Sequence, residues 1–213
     1  MPSFSDLVGA PRSNLIFPLV IADSGRVWSC AAYIHEGTGR RHLLGGLDEV
    51  GKESLHNAIS FVTNNARLIL SCLEQGIDGG SQMTPATLYN LQTDVILCLS
   101  ELDELQCGPS ASACAVVALV VALGRCKLVH KETGVTGAVD LRGKVTIVDG
   151  VEDKIRGAMN DGMDLFIVPA LNLRTAKVTP DIEEYVHRAV KGVSTVVELL
   201  QYTIQGKVEG QRR

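Results

Sequence analysis

Two residues of this chain, Ser110 and Lys154, have the types and the local contexts needed to cleave a peptide bond. Ser110 lies in Gly108-Pro109-Ser110-Ala111-Ser112, a small-residue turn that opens an apolar helix, and Lys154 lies in Gly150-Val151-Glu152-Asp153-Lys154-Ile155. A hydroxyl attacks a carbonyl only when a base takes its proton, and a lysine is a base only when its pKa falls from about 10.4 towards neutrality. A helix starting near Val151 places Gly150, Val151, Gly157 and Ala158 on the face of Lys154, an apolar surround that disfavours the ammonium. The first helical turn adds the positive end of the helix dipole. The turn around Ser110 is suited to the other need of acyl transfer. Backbone N–H groups of Cys107, Gly108 and Ser110, left unpaired at a helix N-terminus, would hold an oxyanion.

Plainer readings compete with this one. A serine after Gly-Pro is ordinarily a helix N-cap, and Ser112 is a second hydroxyl two residues on. A lone lysine is ordinarily solvated, and Asp149, Glu152 and Asp153 stand beside Lys154, although helical spacing turns Glu152 and Asp153 off its face. Cys107 is a small turn residue whose thiol, at a helix N-terminus, is open to alkylation. As a nucleophile it would need a histidine base, and His35, His42, His56, His130 and His187 show no spacing that supplies one. Gly46-Leu47-Asp48-Glu49-Val50-Gly51-Lys52-Glu53 nearly spells a phosphate-binding loop, but Glu53 replaces the magnesium-binding hydroxyl, and Asp48 and Glu49 would repel phosphates. No ATPase, no metal constellation and no cofactor are expected.

The elements that must position these residues follow from periodicity. Leu15 to Ala22, Arg26 to Ile34 and Arg41 to Leu44 read as an antiparallel meander with turns at Asp23-Ser24-Gly25 and His35 to Gly39. Helical spacing of Val50, Ala58, Ile59, Val62, Ala66, Ile69, Leu70 and Leu73 predicts a helix over 49–75, stopped at Gly76 and followed by a surface loop at Gly79-Gly80-Ser81. Then come a strand from Asp94 to Leu99, a buried helix from Ser110 to Leu123, and strands from Val135 to Leu141 and Val145 to Val148 around Arg142-Gly143. A lysine helix from Val151 to Asn160, a buried strand from Leu165 to Val168, and a closing helix from Asp181 to Gln205 after Thr179-Pro180 complete one α+β unit, an α/β sandwich.

With 213 residues, 46% apolar and 21% charged, the chain can bury a full core. A net charge of −4 with scattered Lys and Arg carries no footprint for nucleic acid or for an anionic membrane. Six cysteines without C-x-x-C spacing, several inside apolar runs, read as buried free thiols of a cytoplasmic, reducing compartment. The stretch from Cys107 to Leu123 is short for a membrane span of about 20 residues, and the first ten residues lack the pattern of a signal or transit peptide.

Four segments together resemble the proteolytic domain of Lon proteases. Thr136-Gly137-Ala138-Val139-Asp140-Leu141-Arg142-Gly143-Lys144-Val145 fits the family's T-G-x-[IVL]-x-[LV]-R-G-x-V, and Asp149 to Lys154 fits G-G-[VL]-x-x-K. Gly108 to Ser112 fits the nucleophile turn G-x-S-A-[GS], and Leu44 to Ser54 is similar to L-T-G-x-L-G-x-V-M-K-E-S. The segments run in the family's order over roughly residues 14–203. The resemblance implies a Lon-like fold with a ribosomal-protein-type βαβ core over 14–205, flanked by tails at 1–13 and 206–213. It makes Ser110, rather than Ser112, the nucleophile, Lys154 the base, and Thr136 the hydroxyl that orients its amine. It also implies a polypeptide substrate, a homo-oligomeric ring, commonly of six, and either activity without ATP, as in birnavirus polyprotein proteases, or a separate ATPase partner. The chain departs from the pattern at Asp149 (usually Gly), at Cys107 (often acidic), and at Ile96 and Cys98 (frequently His), while Glu101 matches a common acidic position. Those departures motivate the alternative of a catalytically silent interaction module.

Overall fold

In the computed structural model the described residues are 17–20, 27–74, 93–99, 108–124, 128–130 and 132–204. The expected tails, the Asp23-Ser24-Gly25 turn, Gly76, the Gly79-Gly80-Ser81 loop, Glu101 and Cys107 lie outside them. Helices and strands are mixed in an α+β arrangement. A four-stranded sheet has the order β1 (Phe17–Val20), β2 (Val27–Glu36), β4 (Thr93–Leu99), β3 (Arg41–Leu44). A three-stranded sheet has the order β5 (Thr133–Val135), β8 (Leu165–Pro169), β9 (Val190–Val193), and β6 (Ala138–Val139) forms a hairpin with β7 (Val145–Thr146).

The first core is built on α2 (Ser112–Gly124), whose residues from Ser112 to Leu123 are all buried. A helix made almost wholly of Ala, Val and Leu has no polar face to offer water, so it becomes the centre that other elements cover. One of these is α1 (Glu49–Glu74), which buries Leu55, Ala58, Ile59, Val62, Ala66 and Ile69 at three- and four-residue intervals and turns Lys52, Glu53, His56 and Arg67 outward. Strand β4 buries alternate residues Val95, Leu97 and Leu99 against the same core, as a half-covered strand must.

Strand β8 is buried along its whole length and faces two cores. Leu165 and Ile167 join the α2 core, while Phe166 and Val168 join a second one with Val151, Ile155 and Ala158 of α3 (Val151–Asn160) and Ile182, Tyr185 and Ala189 of α5 (Pro180–Ala189). Period-two alternation thus places one strand between two apolar layers, and full burial of Phe166 alone contributes about 1.5–3 kcal/mol. Its neighbours β5 and β9 both run parallel to it, with α3 lying between β5 and β8 in the chain and α4 (Ala170–Thr175) and α5 between β8 and β9.

Three sequence expectations are corrected. The opening strands are not a meander: β3 pairs in parallel with β4, which inserts between it and β2. The strand expected from Val135 to Leu141 is broken at Thr136-Gly137, where Gly137 adopts φ 150 and its N–H and C=O serve the α2 turn instead of a strand. The closing helix is two helices, α5 and α6 (Val196–Thr203), separated by β9. What restarts the helix is an N-terminal cap akin to a capping box: Glu198 N–H donates to Thr195 Oγ1 at 3.2 Å, and the Glu198 carboxylate reaches back one residue beyond the cap, where Ser194 N–H donates to Oε2 at 2.7 Å. The short α4 had no expected counterpart.

The β6–β7 hairpin is fastened to α1 through Gly143, at φ 78, where a Cβ would stand 2.6 Å from Phe61 Cε2. Gly143→Ala therefore combines a left-handed backbone with a forced displacement of Phe61, and we expect a loss of about 2–3 kcal/mol in urea unfolding. Unchanged stability would mean that the hairpin does not press on α1.

Candidate active site

Ser110 sits at the end of a turn begun by Gly108, whose φ of 86 is left-handed, and just before α2. Its carbonyl accepts from Gly137 N–H at 3.0 Å, and Gly137 C=O in turn accepts from Ala113 N–H at 3.0 Å. The break in the expected strand is therefore the seat of the serine turn. Small residues make this close approach possible, since a Cβ on Gly137 would lie 3.0 Å from Val145 Cγ1 and 3.4 Å from the Cβ of Ala113.

Lys154 occupies the fourth position of α3, where its N–H closes the first turn on Gly150 C=O at 3.1 Å. It is only 3% exposed, and the expected face surrounds it, with Val151, Gly157 and Ala158 all buried. Its Nζ donates to Thr136 Oγ1 at 3.4 Å, and Thr136 is itself fully buried, held through its own N–H by Ile167 C=O at 2.9 Å. Thr136 and Gly137 are adjacent residues, so one short segment receives the lysine side chain through the first and the serine turn through the second. The chain entering α3 is fixed by Asn172, whose amide accepts from Val148 N–H and donates to Val148 C=O, both at 2.9 Å.

The acidic neighbours of Lys154 are turned to other partners or to water. Glu152 accepts from Lys177 N–H at 3.0 Å, and that bond is the main cause holding its carboxyl below the ordinary value. Asp153 pairs with Arg156 at 3.2 Å, Arg156 also reaches Asp181 at 3.2 Å, and Asp149 is exposed. Asp181 is held low by Thr179 and by Arg156.

Ser112 is fully buried and has a structural position. Its Oγ donates to Pro109 C=O at 3.0 Å and accepts from Val139 N–H at 2.9 Å, tying the serine turn to β6, whereas Ser110 is half-buried. The N–H groups of the turn are not all unpaired as expected: Gly108 N–H points at the Asp48 carboxylate, 3.2 Å from Oδ2 and 3.4 Å from Oδ1. Sequence reasoning missed that role of Asp48 and the roles of Asn172 and Ser112. For Asp48 a local signal existed, an aspartate three residues before Gly51 at a helix start, but nothing local pointed to Gly108. The phosphate-loop lookalike has the same resolution, because Asp48 Oδ1 takes the Gly51 N–H at 2.6 Å and caps α1.

Among the described residues, no group of three His, Cys, Asp or Glu side chains could hold a metal ion, and no helix is long and apolar enough to cross a membrane. Cys30, Cys98 and Cys114 are free thiols, and the Cys114 thiol is pushed well up by its hydrogen bond with Cys30 and then by burial.

Ser112→Ala deprives Val139 N–H of its acceptor in a fully buried setting, so we expect destabilisation of about 1–3 kcal/mol in urea unfolding. Stability equal to the parent would show that the Ser112 hydroxyl does not tie the turn to β6.

Comparison with known proteins bears on the same segments. A family model described as the Lon protease (S16) C-terminal proteolytic domain matches residues 84–206. The Lon protease of Aster yellows witches'-broom phytoplasma (strain AYWB) is 31% identical over 147 residues, 69% of this chain and 17% of that protein. The protein named Lon protease homolog 2, peroxisomal, of Danio rerio is 31% identical over 156 residues, 73% of this chain and 17% of that protein. The Lon protease of Brucella suis biovar 1 (strain 1330) is 28% identical over 202 residues, 94% of this chain and 23% of that protein. The chain thus spans about a fifth of the length of these relatives. A family model over more than half of the chain, with relatives 31% identical along more than two-thirds of it, shows that the chain belongs to the Lon proteolytic-domain family.

Proposed function

We propose that this chain is a serine endopeptidase with a Ser110/Lys154 dyad, hydrolysing peptide bonds in unfolded or extended polypeptides. The observation that carries the reading is Lys154 Nζ, withdrawn from water and bonded to Thr136 Oγ1 at 3.4 Å, one residue from the Gly137 that holds the Ser110 carbonyl. Burial favours the uncharged amine, which is the form that accepts a proton. Thr136 takes an amine N–H and so aims the lone pair. Lys154 receives the Ser110 proton as Oγ bonds to the substrate carbonyl carbon, and the tetrahedral oxyanion is held by backbone N–H groups at the start of α2, Ser110 N–H foremost, the Gly108 N–H being committed to Asp48. Collapse expels the amine, protonated by Lys154, and water repeats the cycle on the acyl-enzyme with Lys154 as base again.

The proteolytic unit is read as residues 14–205, between tails at 1–13 and 206–213. The steps above use no nucleotide, and the segment resembling a phosphate loop has its Gly51 N–H committed to Asp48. By resemblance to ring-forming members of the family, a homo-oligomeric ring and a separate ATPase partner that feeds substrate are compatible with this chemistry. Free thiols such as Cys30 and Cys114 persist in a reducing compartment, as the cytoplasm is. A second reading, a silent interaction module that keeps the fold, is favoured by one observation, the commitment of Gly108 N–H to a carboxylate.

Labelling by a peptide boronate or a fluorophosphonate separates the two readings, since only a competent nucleophile reacts. We expect label on Ser110, and expect Ser110→Ala and Lys154→Ala each to abolish casein cleavage with circular dichroism unchanged, the double variant being no worse than either. Loss of activity in Ser112→Ala with retention in Ser110→Ala would overturn the assignment. Because the base must be neutral, the rate should rise with pH along an alkaline limb, and a rate falling across that range would exclude Lys154 as the base.

A further inference from the structure

We infer that Asp48 is a positioning residue for the nucleophile turn, its carboxylate clamping Gly108 N–H onto the N-terminus of α1. The catalytic part of this inference rests on the Ser110/Lys154 reading above, while the clamp itself does not. Asp48 is fixed before it touches the turn: Oδ1 accepts Gly51 N–H at 2.6 Å, and its backbone carbonyl accepts Lys52 N–H at 3.0 Å. Those two bonds cap a long helix and leave the second carboxylate oxygen facing outward along the helix end. There Oδ2 meets Gly108 N–H at 3.2 Å, across a separation of 60 residues in the chain.

The neighbouring glycines have separate parts in the contact. A Cβ on Gly51 would stand 3.0 Å from Asp48 Oδ1 and 3.3 Å from Leu47 Cδ2, with Gly108 O in ordinary contact at 3.5 Å, so a side chain there would crowd the carboxylate. Gly108 has open space around a Cβ but a φ of 86, so it is glycine for its backbone and not for room. The turn is consequently held at two places. Gly108 N–H is tied to α1 by Asp48, and Ser110 C=O is tied to Gly137 beside Thr136. Ser110 lies between the two ties, so its direction relative to Lys154 depends on both.

The clamp also divides labour among the N–H groups of the turn. A carboxylate already holds the Gly108 N–H and carries negative charge, so the oxyanion of the tetrahedral intermediate is left to other donors at the helix start, Ser110 N–H foremost.

Asp48→Asn and Asp48→Ser test the clamp while keeping an N-cap acceptor for Gly51. Asparagine with its oxygen on Gly51 turns an NH2 group towards Gly108 N–H, and a serine hydroxyl that caps the helix does not span to the turn. In protein labelled with 15N-glycine, we expect the Gly108 amide to exchange with deuterium about tenfold faster or more in both variants, with the Gly51 amide and the melting temperature near those of the parent. On a fluorogenic peptide, kcat should fall about tenfold or more at unchanged KM, the signature of a misdirected nucleophile. Gly108 exchange unchanged in both variants overturns the clamp, and faster exchange with kcat unchanged or raised overturns the positioning role. Should the parent protein neither cleave nor take label at Ser110, the Ser/Lys reading falls, and Gly108 exchange alone then decides whether Asp48 clamps the turn.

Discussion

A lysine side chain is buried in a protein only where its stem finds apolar contact and its nitrogen finds an acceptor, and much of this molecule is arranged around meeting that requirement at Lys154. The helix that carries it begins at a left-handed Gly150 and presents small residues, Gly157 and Ala158, beside the stem. The acceptor is Thr136, which is available because the chain leaves strand β5 at that point. Leaving the strand also frees the backbone of Gly137, and the turn before α2 uses it. One irregular peptide thereby satisfies a buried amine and seats a serine.

The regular parts of the fold hold that irregularity in place. Helix α2 is buried along its length, so its N-terminal turn cannot drift without disturbing the packing of α1 and β2 against it. Strand β8 lies between two cores and gives the carbonyl of Ile167 to Thr136 N–H. A slip of β8 by one residue would exchange its two faces and move that carbonyl together with them. The precision of the site is therefore inherited from the least ambiguous packing in the molecule.

Much of this was legible in the sequence where the information is local. The bounds of α3, Val151 to Asn160, and the apolar environment of Lys154 follow from helical spacing, because both concern residues within a turn of one another. Membership of the Lon family was readable because Gly108–Ser112, Thr136–Val145 and Asp149–Lys154 keep their order and their unusual small residues. What escaped was non-local or was drowned by a stronger signal. The insertion of β4 between β2 and β3 is a pairing across distant residues with no mark in either strand. The apolar spacing from Ile182 to Leu200 concealed β9, although Gly192 and the Thr195-to-Glu198 box were there to be read. Asp48 looked like a group that repels phosphate, and only the folded chain reveals that it faces Gly108.

The two residues brought to the Thr136–Gly137 segment belong to separate stretches of chain, and the helix behind Ser110 has no face that tolerates water. A half-formed copy leaving the ribosome would carry the serine and the lysine without the arrangement that joins them. On the proposed Ser110/Lys154 reading, a peptidase of unfolded chains would then be harmless to its own unfinished siblings until it had itself become fully folded, with folding serving the purpose that a removable propeptide serves in secreted proteases.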